Sequence, residues 1–101
     1  MTKFLFLAFA LASPLLASTP AAWQRGNAAA ARACLKAADL RQGEIAAGPL
    51  LFSDAAGKTA YLVRGRWRPA HMKGASATML CLYDRARRTA EATEAKGWTA
   101  R

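Results

Sequence analysis

Residues 4–17 read FLFLAFALASPLLA after a single basic residue, Lys3, and only Ser13 and Pro14 interrupt their apolar character. A spanning helix needs roughly 20 apolar residues. This run is shorter, holds a proline and ends in small residues without a basic flank, so it reads as an export signal and predicts no stable transmembrane anchor. Cleavage is expected after Ala17, or as late as Ala21 with Thr19 at the minus-three position. Residues 1–21 are thus assigned to a signal peptide and 22–101 to one small domain, periplasmic or secreted. The domain keeps 84 residues (101 less 17) or 80 (101 less 21). A chain of that size buries a modest core and gains from a covalent staple.

Cys34 and Cys81 are the only cysteines, and both lie in the mature part. In an oxidising compartment an even pair predicts one disulfide, the alternative being two buried free thiols. Closing a loop of 47 positions constrains the unfolded chain by ~4 kcal/mol in the loop-entropy model.

The pattern along the chain predicts an α+β domain, one N-terminal helix packed on a small antiparallel sheet of three to four strands. Asn27 is an N-cap candidate, the run after it predicts a helix over 28–41, and Gly43 stands as its C-cap. At 100° per residue Ala30, Ala31, Cys34, Ala37 and Ala38 share one face, with Arg32, Lys36 and Asp39 on the other. Trp23, in the irregular lead, is expected to tuck against the domain. After a loop at 43–48, residues 49–53 read as a short strand, and Asp54-Ala55-Ala56-Gly57 has the residues of a tight hairpin. A second strand is predicted over 59–68, a loop over 69–76 and a third strand, apolar on both faces, over 78–83. A turn follows at 84–88, residues 89–95 suit strand or helix, and Trp98 is expected to fold back onto the core. Cys34 on the inner helix face and Cys81 in the third strand would pin helix to sheet.

Charge is the other constraint. Without Lys3, fourteen Lys and Arg stand against six acids, a mature net charge of +8. That favours anionic partners, which for an exported protein means an anionic surface, a polymer or an acidic protein, with no nucleic acid expected in that compartment. Arg64, Arg66 and Arg68 alternate along the second strand at roughly 6.6 Å, twice the rise per residue. They form either a cationic strip or an ordinary solvated face, with Glu91 and Glu94 as candidate acidic neighbours across the sheet. Tyr61, Val63 and Trp67 fall on the opposite face unless a bulge at Gly65 resets the phase. Lys73, in the following loop, extends the candidate anion-binding set. A second group, Arg85, Arg87 and Arg88, lies in a turn and reads as exposed.

Nothing points to catalysis. His71 is the one histidine, without serine, cysteine or acid at a motif spacing, and a nucleophilic cysteine would need a free thiolate. Zinc needs three or four ligands, the acids are too dispersed for a calcium loop, and no glycine-rich phosphate loop is present. No catalytic residue, metal or cofactor is therefore assigned. The expectation is a small exported, non-enzymatic domain that binds an anionic partner through a basic sheet face. An inhibitor or accessory subunit docking on an exported enzyme by loop or edge-strand insertion, with the loop at 69–76 as the candidate segment, is the alternative. Oligomeric state is not legible.

Overall fold

The computed structural model describes residues 19–98. The export signal and the cleavage point after Ala17 lie outside the described residues. Helix α1 (Pro20–Ala38) leads into strand β1 (Arg41–Leu51), then β2 (Lys58–Arg66), a 3-10 turn at Ala70–Met72, β3 (Ser76–Asp84) and β4 (Thr89–Glu94). The four strands form one antiparallel sheet in the order β1-β2-β3-β4, and α1 packs on one of its faces. This is the predicted α+β architecture, with residues 89–94 resolved as strand.

The helix begins earlier than Asn27. Thr19 is the N-cap, its hydroxyl accepting the Ala22 N–H at 3.2 Å, and Pro20 follows at the first helical position. There its missing N–H costs nothing, because that donor has no intrahelical partner anyway. Gly26 lies inside α1, at a cost of about 1 kcal/mol relative to alanine. A Cβ at Gly26 would meet nothing within 4 Å, so no contact of the fold demands glycine there. At the other end Asp39 takes the left-handed conformation (φ 51°) and its N–H returns to the Leu35 carbonyl, so the helix stops at Ala38, before Gly43.

Strand β1 also starts early, at Arg41 in place of 49. Arg41 to Leu51 face only Thr59 to Arg66, and register shifts fall between Arg41 and Glu44, Ile45 and Ala47, and Ala47 and Leu50. Each shift adds one residue to β1, which is how an edge strand absorbs the residues that read as a loop. Gly48 (φ 113°) allows the closest approach, since a Cβ there would sit 2.7 Å from the Ala60 carbonyl oxygen. The hairpin to β2 is as predicted: Gly57 is left-handed (φ 65°), its N–H donates to the Ser53 carbonyl at 2.8 Å, and the Ala56 N–H donates to the Ser53 hydroxyl.

The core lies between α1 and the sheet. From the helix come Ala30, Cys34 and Ala38, from β2 Tyr61 and Val63, from β3 Ala77, Met79, Cys81 and Tyr83, and from the link between helix and β1 Leu40. The Tyr61 hydroxyl donates to the Asn27 carbonyl at 2.9 Å. Cys34 and Cys81 are joined across this layer as predicted, with Cα atoms 5.7 Å apart, and neither is exposed. Strand β3 departs from expectation, because only its helix side is closed and Leu82 on the other side is 40% exposed.

Two outcomes follow from this packing. Replacing both cysteines by alanine, or reducing the bond, is expected to lower the stability of the domain by about 4 kcal/mol, read as a fall in the urea midpoint. An unchanged midpoint would show that the bond is not the staple. The Thr19 cap also distinguishes the cleavage points, because a cut after Ala21 discards the cap and the first helical residues, whereas one after Ala17 keeps them. Exported material should therefore begin at Ser18, and mass spectrometry showing a start at Ala22 would contradict this.

Candidate binding face

Strict alternation sends every second side chain of the sheet away from α1. On β2 these are Lys58, Ala60, Leu62, Arg64 and Arg66, and the register sets Asp84, Leu82, Leu80, Thr78 and Ser76 of β3 beside them. Thr89, Glu91 and Thr93 of β4 continue the same face, and Glu44, Ala47 and Leu50 of β1 complete it. Its middle is apolar. Ala47, Leu50, Ala60, Leu62 and Leu80 line a shallow groove of about 210 Å³ with Trp98, which lies over this open side and not in the core. Leu50 is 63% and Trp98 69% exposed.

The predicted arginine ladder is only partly present. Register through Gly65 is regular on the β3 side (Gly65 opposite Ala77), and the bulge sits across from it in β1. Parity is therefore kept, and Arg64 and Arg66 share the open face while Tyr61 and Val63 are buried toward α1. Arg66 donates to the Gly74 carbonyl at 3.0 Å, and Arg41 stands opposite it in register. Arg68 does not belong to the ladder. Strand β2 ends at Arg66, and Arg68 reaches the end of α1, donating to the carbonyls of Asp39 (3.1 Å) and Leu40 (3.2 Å) and pairing with the Asp39 carboxylate at 2.9 Å. A cation there complements the negative end of the helix. Lys73, exposed and left-handed (φ 54°), closes the 3-10 turn and is not on the strand. The acidic neighbour of Arg64 is Glu44, whereas Glu91 pairs with Leu82 on β3 and Glu94 with Met79.

The far end of the face is closed by the turn after β3. One Asp84 carboxylate oxygen accepts the N–H groups of Ala86 and Arg87, each at 3.0 Å, and the other takes the Lys58 ammonium at 3.0 Å. The Arg87 N–H and the Lys58 ammonium hold the carboxyl of Asp84 down at about 2. Arg85, in the same turn, is no exposed charge. Its guanidinium donates to the Lys58 carbonyl, to the Thr59 hydroxyl at 3.2 Å and to the carbonyls of Phe52 and Ser53 at 3.0 and 3.1 Å. It fastens the β1–β2 hairpin to the β3–β4 turn, a role that composition of the turn does not announce. The loop at 69–76 is compact, with the Met72, Lys73 and Ala75 N–H groups donating to the carbonyls of Pro69, Ala70 and Met72. His71 is exposed on it, and among the described residues no three His, Cys, Asp or Glu side chains gather to hold a metal ion.

No protein-family model, curated protein or solved structure matches the chain.

Because Asp84 is depressed on folding, its contribution to stability is complete above its ordinary value of 3.8 and is lost as pH falls toward 2. Asp84→Asn keeps an oxygen for the two turn N–H groups and removes the charge. The variant should therefore lose less stability than the parent between pH 5 and pH 2, measured as the change in urea midpoint. Equal losses would remove Asp84 from the acid response.

Proposed function

We propose that the chain is an exported, non-enzymatic binding module that docks on an acidic protein through the open face of its sheet. The observation that supports this reading most is the arrangement of that face: an uncovered apolar centre of Leu50, Leu62, Leu80, Leu82 and Trp98, with Arg64 and Arg66 at its rim. An apolar centre inside a charged rim is the anatomy of a protein interface, where the centre supplies affinity and the rim steers encounter. A purely anionic polymer would leave the leucines without partners. A lipid surface of uniform negative charge would meet Glu44 and Glu91 on the same face, whereas a folded partner can oppose each charge separately. The mature domain's formal charge of +8, the chain's +9 less Lys3, favours an acidic partner.

Export has support in the apolar run at residues 4–17 and in the disulfide, which persists in oxidising compartments. A route through the loop at 69–76 has less support, since that segment is bonded into a turn and presents no extended stretch to insert.

The test is capture from periplasmic extract on immobilised mature domain, followed by identification, repurification and direct binding of the captured protein. Leu50→Ser with Leu82→Ser should weaken binding roughly tenfold or more through faster dissociation. Arg64→Gln with Arg66→Gln should slow association and flatten its dependence on salt. All four positions are exposed, so folding should change little. A partner that binds both variants as it binds the parent would refute the open face as its site, and selective retention on phosphatidylglycerol vesicles would transfer the face to lipid.

A further inference from the structure

On the helix side of the molecule, away from the open face, a cleft of about 550 Å³ lies between the first half of α1 and the ends of β2 and β3. Its volume is that of small-molecule sites, which range over roughly 300 to 1,000 Å³. Trp23 and Gly26 of α1, Thr59 of β2 and Tyr83 of β3 line it, together with Arg25 and Arg88. Arg85 also reaches its wall, but its guanidinium is occupied by the hairpin carbonyls. Arg25 and Arg88 make no side-chain hydrogen bond or ion pair among the described residues, and the lining contains no carboxylate. Guanidinium groups gathered around one concavity without an acid repel one another, and an anion seated there relieves that repulsion.

Two residue choices in the cleft run against the stability of the fold. Gly26 weakens α1 although a Cβ would touch nothing, and its vacancy of side chain is part of the cleft's space. Arg88 holds a left-handed backbone (φ 59°) at the end of its turn, where glycine or asparagine would be relaxed. Asp39, Gln42 and Lys73 are left-handed elsewhere, so the backbone of Arg88 is a common turn feature, and it is the unforced glycine inside a helix that singles out this place.

We infer that this cleft binds a small organic carboxylate, its charge held by Arg25 and Arg88 and its apolar body lying against Trp23 and Tyr83. Paired guanidinium donors suit the planar, two-oxygen head of a carboxylate, and a half-exposed indole offers a flat apolar wall. The site is independent of the open sheet face and stands or falls separately from it.

The probe is 2-naphthoate, with the uncharged 2-naphthamide as its isostere, titrated into the oxidised mature domain and followed by amide and indole NMR shifts. Naphthoate should give saturable shifts at the Trp23 indole, Gly26 and Thr59 while Trp98 stays still. The naphthamide should bind roughly tenfold or more weakly, the loss expected for removing a charge-assisted contact. Arg25→Gln with Arg88→Gln should weaken naphthoate by a similar factor and leave the spectrum's dispersion intact. Gly26→Leu should abolish binding by filling the cleft, and Gly26→Ala should weaken it while raising the melting temperature. Shifts centred on Trp98, equal binding of acid and amide, undiminished binding in either the arginine or the Gly26→Leu variant, or no saturable shift at the solubility limit would each overturn the proposal.

Discussion

The close approach of α1 to the sheet governs the rest of this structure, and the Cys34–Cys81 bond fixes it. The helix brings only Ala30, Cys34 and Ala38 to the core, so its backbone lies close to the sheet, which supplies the larger Tyr61, Val63, Met79 and Tyr83. Alanine at 30 and 38 lets the helix backbone lie near the strands, but each methyl group removes little apolar surface from water. A core of this kind gives up hydrophobic stabilisation for proximity, and proximity is what allows a 47-residue loop to be closed by one covalent bond. The clamps at the margins act in the same sense. Arg68 ties the end of α1 to the segment after β2, and Arg85 ties the first hairpin to the last turn. Both are arginines spent on backbone carbonyls, which reduces the positive charge free to meet a partner.

One helix covers one face of the four-stranded sheet, and among the described residues no second helix or sheet covers the other. In a domain of this size the second face is normally polar, and here its two ends are: Lys58 pairs with Asp84 at one, and Glu44 lies opposite Arg64 at the other. The leucines between them are the exception. They have cross-strand neighbours within the sheet, and among the described residues Trp98, itself mostly exposed, is what lies above them. Contiguous apolar surface inside a polar border is rarely left open by a folded monomer without use.

Alternation and chemistry made much of this legible before any coordinates. The inward thiols, the Asp54–Gly57 hairpin and the separation of Arg64 and Arg66 from Tyr61 and Val63 all rest on period-two or period-3.6 patterns that tertiary packing reinforced. What was missed has local causes. Gly43, Gly48 and Pro49 are breakers in a regular strand, yet on an edge strand they become bulges, and the strand runs through them. Gly26 and Asn27 look like a boundary, while the Thr19-Pro20 pair, obscured by its nearness to the apolar run at residues 4–17, is the actual cap. Arg68 sits two residues beyond the end of β2, where parity no longer applies and its acceptors belong to the helix terminus. The cleft at Arg25 and Arg88 has no sequence signature, because its walls come from three elements separated by tens of residues. Only the unforced glycine inside α1 hints at it.

The two faces of the sheet thus divide the cationic groups by what they have left to bind. Arg68 and Arg85 are satisfied within the fold, and each lies at a junction between elements. Arg64 and Arg66 border an apolar field broad enough for a protein surface, while Arg25 and Arg88 face a concavity of small-molecule size. Net charge alone would treat all six as one property of the chain. Their surroundings separate them: a guanidinium ringed by carbonyls holds the structure together, one on the open face lies beside exposed leucines where the proposed protein partner would dock, and one lining the cleft faces the space proposed for an anion. Burial together with hydrogen-bond partners, not position in the sequence, separates the arginines that hold the fold from those that are left to the proposed binding.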